Sequence, residues 1–324
     1  MKYKKYGVDG TWEVGQEPTE VDVTMKEVGS THKYVVTGIE ELEGEELDSV
    51  TTITGSADGT GTFPISRWYA RLAAEYGWDT ELWEQGLGGA EARERFVQEV
   101  KNYPIRVFET AGHRGTLIHR ALEIYLDPDT PPDWWKELID DKGSQTNNKY
   151  LPIEFKLKNL ESCFKDIKDW IHNGGFVIRG REIPVFHKDL RIGGTIDLLL
   201  SKEIPPEERE HYDNNKLIIL IVDFKTGSDI RWKDQLQQSA YATCIMSMMD
   251  EGIMLWDGML NDVITKEDVG MGATLMHIQE EFGVKKIPRV VAHHVQKELI
   301  NNLAISSATF LHNMSKIKTA KEKL

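Results

Sequence analysis

The segment Leu217-Ile218-Ile219-Leu220-Ile221-Val222-Asp223-Phe224-Lys225 constrains the fold of this chain more than any other. Its continuous aliphatic run, mostly β-branched, describes a strand buried on both faces. Such a strand requires structure packed above and below its sheet. The run ends in an acid and a base two residues apart. Side chains alternate along a strand, so Asp223 and Lys225 share a face. A strand running out into solvent gives the same charged end, so the segment alone fixes architecture rather than chemistry.

Its neighbours extend the pattern. Phe176–Phe186 and Arg191–Leu200 read as two preceding strands, and Arg231–Met249 as the helix after them. Upstream, Gly112–Leu126 reads as an amphipathic helix, and Glu154–Asn173 as a second one ended by Asn173-Gly174-Gly175. Ala273–Phe282 reads as a helix, Arg289–Val295 as a strand, and a last helix starts near Glu298; the stretch 250–272 carries no clear signal. Earlier, Lys33–Ile39 and the β-branched run Asp48–Ile53 read as strands. Helices are expected over Ile65–Glu75 and from about Gly89 to Val100, with Pro104 interrupting the segment beyond. The expected class is α/β with a central mixed sheet flanked by helices. Its division is 1–110 as N-terminal strands and helices packing on the core, 111–296 as the core, and 297–324 as a basic C-terminal helix or tail.

Asp197 lies in the strand Gly193-Gly194-Thr195-Ile196-Asp197-Leu198-Leu199-Leu200, among leucines. A carboxylate in such a place needs a metal ion, a cation or N–H donors as partner, and the two glycines admit close approach of another group. If Asp197 and Asp223 stand on neighbouring strands, they can share one hard divalent cation, Mg²⁺ or Mn²⁺. Lys225 then stands beside an activated water and a phosphate oxygen. His119 on the early helix is either half of a surface pair with Glu123 or an imidazole offered to the metal. Gln237 and Tyr241, four apart, share one helix face that is either solvated or turned to the lysine or a DNA phosphate.

Composition narrows the functional classes. Asp and Glu total 53 against 39 Lys and Arg, a net charge of −14, which argues against indiscriminate coating of nucleic acid. The end of the chain differs: from Lys285 onward eight basic residues face only Glu298 and Glu322. That end reads equally as a solvated helix or as a phosphate-contacting arm. Trp68, Trp78 and Trp83 suit a core or a lid, or stacking on unpaired bases. No apolar run reaches membrane-spanning length, and no apolar region comes after the basic Met1–Lys5, so a soluble cytoplasmic protein without a secretory leader is expected. Cys163 and Cys244 are too few for a four-thiolate cluster, and the absence of a Walker motif argues against a bound nucleotide.

Taken in order, Gly115-Thr116-Leu117-Ile118-His119, Glu182-Ile183-Pro184, Gly193–Asp197, Asp223-Phe224-Lys225-Thr226-Gly227 and Gln237-Gln238-Ser239-Ala240-Tyr241 resemble the PD-(D/E)XK nucleases, in their RecB-type exonuclease branch. Ser49–Ile53 followed by Trp68 is similar to phage-encoded relatives of the mitochondrial genome maintenance exonuclease, so that the likeness spans residues 48–241. The resemblance implies a restriction-endonuclease-like core in α-β-β-β-α-β order and a Mg²⁺- or Mn²⁺-dependent DNA exonuclease acting on linear ends, single strands among them. It implies that His119, Asp197, Asp223 and the Phe224 carbonyl bind the metal, that Lys225 assists the attacking water, and that Gln237 and Tyr241 line the site. Glu182 matches a recurring acid. Ser49, Thr51, Thr52, Arg114, Thr226 and Gln238 match DNA-contacting positions. The four-cysteine iron–sulfur variant of the branch is excluded by composition. A single-strand annealing or replication/recombination protein is the implied partner, and the host cytoplasm the implied location of a phage-encoded chain. Ile196 departs from the family by standing where proline often precedes the aspartate. A structure-specific endonuclease and a non-catalytic DNA-binding or assembly protein on the same core remain as alternatives.

Overall fold

The computed structural model describes residues 1–5, 18–28, 31–57, 70–74, 89–129, 160–227, 229–256, 268–282 and 287–295. Trp68, Trp78 and Trp83, most of the helix expected over 65–75, and everything from residue 296 on lie outside this set.

The buried run forms β7 (Leu217–Lys225), an interior strand of a ten-stranded mixed sheet. Beside it lies β6 (Ile192–Glu203), antiparallel to it, and β5 (Val177–His187) pairs antiparallel with the other edge of β6. On its other edge β7 pairs in parallel with β9 (Val269–Phe282), which pairs antiparallel with β10 (Ile287–Val295). Ala273–Phe282, expected as a helix, is therefore strand. Ala273 to Ile278 are all buried, so both faces are apolar or packed, and periodicity cannot tell such a strand from a buried helix. The parallel slot beside β7 decides it.

The N-terminal strands β1 (Lys2–Lys5), β2 (Thr19–Val28), β3 (Thr31–Thr37) and β4 (Glu46–Ser49) continue the same sheet, which curls so that Tyr3 and Tyr34 reach back to β5 and β6. The β-branched run after Asp48 is not strand but α1 (Val50–Ala57). Ser49 Oγ accepts the Thr52 N–H as an N-cap, and the Thr54 hydroxyl donates back to the Val50 carbonyl at 2.9 Å. Cap and packing override the β propensity of those residues.

The two early helices expected on either side of Pro104 are one helix, α2 (Ala90–Tyr125), with Pro104 inside it. A buried proline costs one backbone bond without ending a helix whose C-terminal half is anchored by packing. The boundary drawn at residue 110 falls within α2. The helix α3 (Glu161–Asn173) ends as its Asn-Gly-Gly sequence suggests. Gly175 adopts φ +68°, its N–H reaches the His172 carbonyl, and the Phe176 N–H reaches that of Ile171. Beyond β7 come α4 (Trp232–Asp250) and the short β8 (Ile253–Met254), which pairs with β1.

Two cores result. Leu117, Ile118 and Leu122 of α2 and Phe164 and Ile167 of α3 cover one face of the sheet. Ala240, Tyr241 and Ile245 of α4 cover the other, together with residues of β1 to β4. Cys163 is buried in the first core and Cys244 in the second, both as free thiols. Among the described residues no helix is long and apolar enough to cross a membrane.

The glycine pair on β6 is used for close approach. A Cβ on Gly193 would stand 2.7 Å from the Tyr34 ring, and one on Gly194 would stand 2.4 Å from that of Tyr241. Gly194→Ala is expected to destabilise the fold by about 1–3 kcal/mol through overpacking. Combined with Tyr241→Ala it should cost less than the sum of the single changes. Denaturant unfolding of the three variants checks this.

Candidate active site

Strand β6 changes partner along one edge. The β6–β7 ladder ends at Leu198↔Val222, and β4 takes up the same edge only at Gly193. Between them Gly194–Ile196 pair with β5 alone among the described residues, and Asp197 stands unpaired in the ladder. The positions next in register beyond Leu198↔Val222 are Asp197 and Asp223. On the other side of β6, Glu182 falls between the pairs Arg181↔Leu198 and Ile183↔Ile196, opposite Asp197. Glu182, Asp197 and Asp223 thus form one row across three strands, at the point where the sheet opens.

Like charges opposite one another in a sheet repel, and the surroundings show how this row is tolerated. Asp197 Oδ2 accepts the Phe224 N–H at 2.7 Å, the backbone donor freed where the ladder stops. The same oxygen lies 3.4 Å from His119 Nδ1, which α2 brings over the end of the sheet. Arg181 ties that helix down, donating to the Glu123 carbonyl at 2.9 Å and to Asp127 at 3.2 Å. Gly115 permits the approach, since a Cβ there would stand 3.2 Å from the Thr226 hydroxyl. His119 therefore pairs with Asp197 and not with Glu123.

Asp223 is buried, and its Oδ2 meets the Lys225 ammonium at 2.7 Å. Lys225 donates to Gln237 Oε1 at 3.1 Å, and Gln237 Nε2 donates to the Tyr241 hydroxyl at 2.7 Å. Asp234 stands 3.7 Å from the same ammonium.

Charge states are set by these contacts. Burial disfavours the Lys225 cation, but Asp223 and Asp234 outweigh it and raise its pKa, so it is an ammonium at neutral pH. Burial pushes the Asp223 carboxyl up against the pull of Lys225. Glu182 faces open solvent at its cleft side, yet the protein packed around it, and then the charge of Asp197, push its carboxyl up to about 7. Burial lowers His119, but Asp197, through charge and hydrogen bond, together with Asp223 and Glu182 outweighs it and raises the imidazole to about 9. Glu182 also adopts φ +48°, a left-handed conformation costing on the order of 1–3 kcal/mol, of the kind that concentrates at functional sites.

A nitrogen of His119 and one carboxylate oxygen each from Glu182 and Asp197 lie within 4.8 Å of one another. Imidazole and carboxylate groups at that separation, with the Asp223 carboxylate next in the row, suit a hard divalent cation. The compact group that could hold a metal ion thus contains Glu182, while Asp223 is engaged by Lys225. The Phe224 N–H, rather than its carbonyl, is the group seen in contact with this set. The cleft has a volume of about 490 Å³ and is lined on its far side by Val23, Met25, His32 and Tyr34 of the β2–β3 hairpin. It adjoins a groove of about 1110 Å³ along α2, with which it shares His32, His119, Glu182 and Asp197.

The other positions separate. Thr51 lines the cleft and Thr52 is exposed near it, whereas Ser49 is buried and engaged in the helix cap. Thr226 packs on Gly115, Arg114 is half-buried, and Gln238 is fully buried in α4. Sequence reading missed Asp234, although its i−3 spacing from Gln237 was visible. It also missed Tyr34, whose hydroxyl bonds Thr195 at 2.9 Å and whose place depends on long-range strand pairing. Comparison of the chain with protein-family models gives no match, and comparison with curated proteins gives none.

In the metal-free protein the His119 imidazole is expected to titrate near 9. In Asp197→Asn burial remains while the main attraction is lost, so the pKa should drop by more than a unit. NMR titration of the ring checks both values. The same shift makes the His119–Asp197 pair stabilising below the ordinary histidine range, with the contribution lost as pH rises through about 9.

Proposed function

We propose that this protein is a metal-dependent DNA exonuclease built on a restriction-endonuclease-like core. One observation carries the reading: Glu182, Asp197 and Asp223 stand in a single row at an opening in the sheet, with His119 over it and the Lys225 ammonium beside it. Phosphodiester hydrolysis needs an attacking water, neutralisation of charge gathering on phosphorus, and stabilisation of the leaving oxygen. Mg²⁺ or Mn²⁺ held by His119, Glu182 and Asp197, with Asp223 adjacent, supplies the first two when bound. The chain's own residues do the rest. Lys225 bears its proton, so it acts as a cation directed at a phosphate oxygen rather than as a base. Gln237 holds that ammonium through Oε1 and is itself held by Tyr241. Asp234 and Asp223 keep the lysine charged despite its burial.

Action at DNA ends is supported by the likeness to the RecB-type branch and by the walls of the cleft. A pocket of about 490 Å³ between the β2–β3 hairpin and α2 suits the end of one strand better than an unbroken duplex. A protein of net charge −14 gains little from non-specific phosphate attraction, which favours a substrate captured at its end. A single-strand annealing or replication/recombination protein is the partner class this activity would serve.

The test uses end-labelled single- and double-stranded DNA beside a covalently closed circle, with Mg²⁺, Mn²⁺ or EDTA. Wild type should degrade the linear substrates only with metal and spare the circle. Lys225→Ala should be slower by about 10²- to 10³-fold while remaining folded. Cutting of the circle would instead identify an endonuclease, and a folded, Mn²⁺-loaded protein that cuts nothing would point to a binding role. Mn²⁺ must displace the protons held by Glu182 to about pH 7 and by His119 to about pH 9. Its affinity should therefore rise with pH from 6 to 9, as calorimetry can measure.

A further inference from the structure

Strand β9 runs on past the end of β7. Lys225↔His277 is the last pair of that parallel ladder, and the chain leaves the sheet at Thr226. His277 is buried, at 3 % exposure, next to the buried Met276 and Ile278 of the same strand. Its Nε2 lies 2.6 Å from the Gly227 carbonyl, the group two residues beyond Lys225. A carbonyl only accepts, so Nε2 carries the proton and Nδ1 is left as the acceptor. Gln279 Nε2 lies 3.4 Å from that Nδ1, and Gln279 Oε1 accepts from Arg289 Nε at 2.8 Å. The donors all run one way, from Arg289 on β10 through Gln279 and His277 on β9 to the turn after β7. Each link fixes the orientation of the next. On its other side the same turn is bounded by α2, where Thr226 meets Gly115.

We propose that His277 is a positioning residue of this site: through the Gly227 carbonyl it holds the turn just after Lys225, and Gln279 with Arg289 fixes the tautomer that lets it do so. The inference rests on the nuclease function proposed for the acidic row. Lys225 is the last residue of β7, so the path of the next two residues sets where its backbone ends and how its ammonium is presented to Asp223 and Gln237. Hydrogen-bonded supports of this kind matter because small misplacements of a reacting group are costly. Among its contacts with described residues His277 touches none of the acidic row, which separates its role from theirs. The sequence offers no motif for it: His277 stands more than fifty residues from Lys225 and is brought there by strand pairing alone.

The experiment compares full-length wild type, His277→Leu and His277→Gln in Mn²⁺-dependent cleavage of end-labelled linear DNA, in Mn²⁺ titration, and in amide hydrogen exchange of the turn. His277→Leu is expected to lose about 10- to 100-fold in kcat, with KM and Mn²⁺ affinity unchanged, and to lose protection at Thr226 and Gly227. His277→Gln keeps an N–H donor at similar reach and should recover most of the rate and the protection. Wild-type kcat and exchange in His277→Leu would overturn the proposal. So would a His277→Gln variant as impaired as His277→Leu, since the ring would then matter only as packing. If His277→Leu does not fold, Gln279→Leu tests the relay from a partly exposed position, where a several-fold loss in kcat supports it and an unchanged rate overturns it. If wild type itself does not cleave DNA, the proposed function fails, and the exchange comparison alone decides whether His277 holds the turn.

Discussion

The hydrogen bond from the Phe224 N–H to Asp197 Oδ2 is the contact on which the rest of the arrangement depends. Antiparallel strands satisfy one another's backbone, and where β6 and β7 part, a buried N–H is left to find another acceptor. The Asp197 side chain takes that role at 2.7 Å. The carboxylate is thereby fixed in the plane of the opening, the strands separate without an orphaned donor, and Asp223 is brought opposite. The glycine pair just before Asp197 serves the same opening from the other side, because the Tyr34 and Tyr241 rings lie directly against the backbone of β6.

Electrostatics then make the site chemically specific. Three carboxylates in one row, with Asp234 close by, outnumber the cations among them. Lys225 answers Asp223, and His119 answers Asp197, each held protonated by its partner against the cost of burial. Glu182 has no comparable cation in contact among the described residues, and its left-handed backbone turns it out of the regular ladder next to His119 and Asp197. Such an arrangement is a weak structural support, because aliphatic residues would fill the opening without repulsion. It is well suited to a bound cation and a polyanionic substrate, which would offset the excess negative charge.

Much of this was legible in the sequence because it depends on local pattern. The strand period places Asp223 and Lys225 on one face, the helix period places Gln237 and Tyr241 together, and Asn173-Gly174-Gly175 specifies a helix end. An aspartate among leucines needs a partner wherever it lies. The features that escaped depend on long-range pairing or on competition between local preferences. Ala273–Phe282 is buried on both faces over most of its length and so carries no distinguishing period. Val50–Ala57 obeys its cap rather than its β-branched composition. Pro104 is tolerated inside α2. Tyr34 and His277 reach the site only through the sheet order, and neither sits in a motif. Asp234 was within reach of sequence reading, since its spacing from Gln237 puts both on one helix face.

Whether the row at the β6 opening is a metal centre is answered by anomalous scattering from Mn²⁺ in crystals of the loaded protein. Mn²⁺ is expected within coordination distance of His119, Glu182 and Asp197, beside Asp223. Mn²⁺ bound elsewhere, or an opening left without Mn²⁺ at saturating concentration in the folded protein, would contradict it.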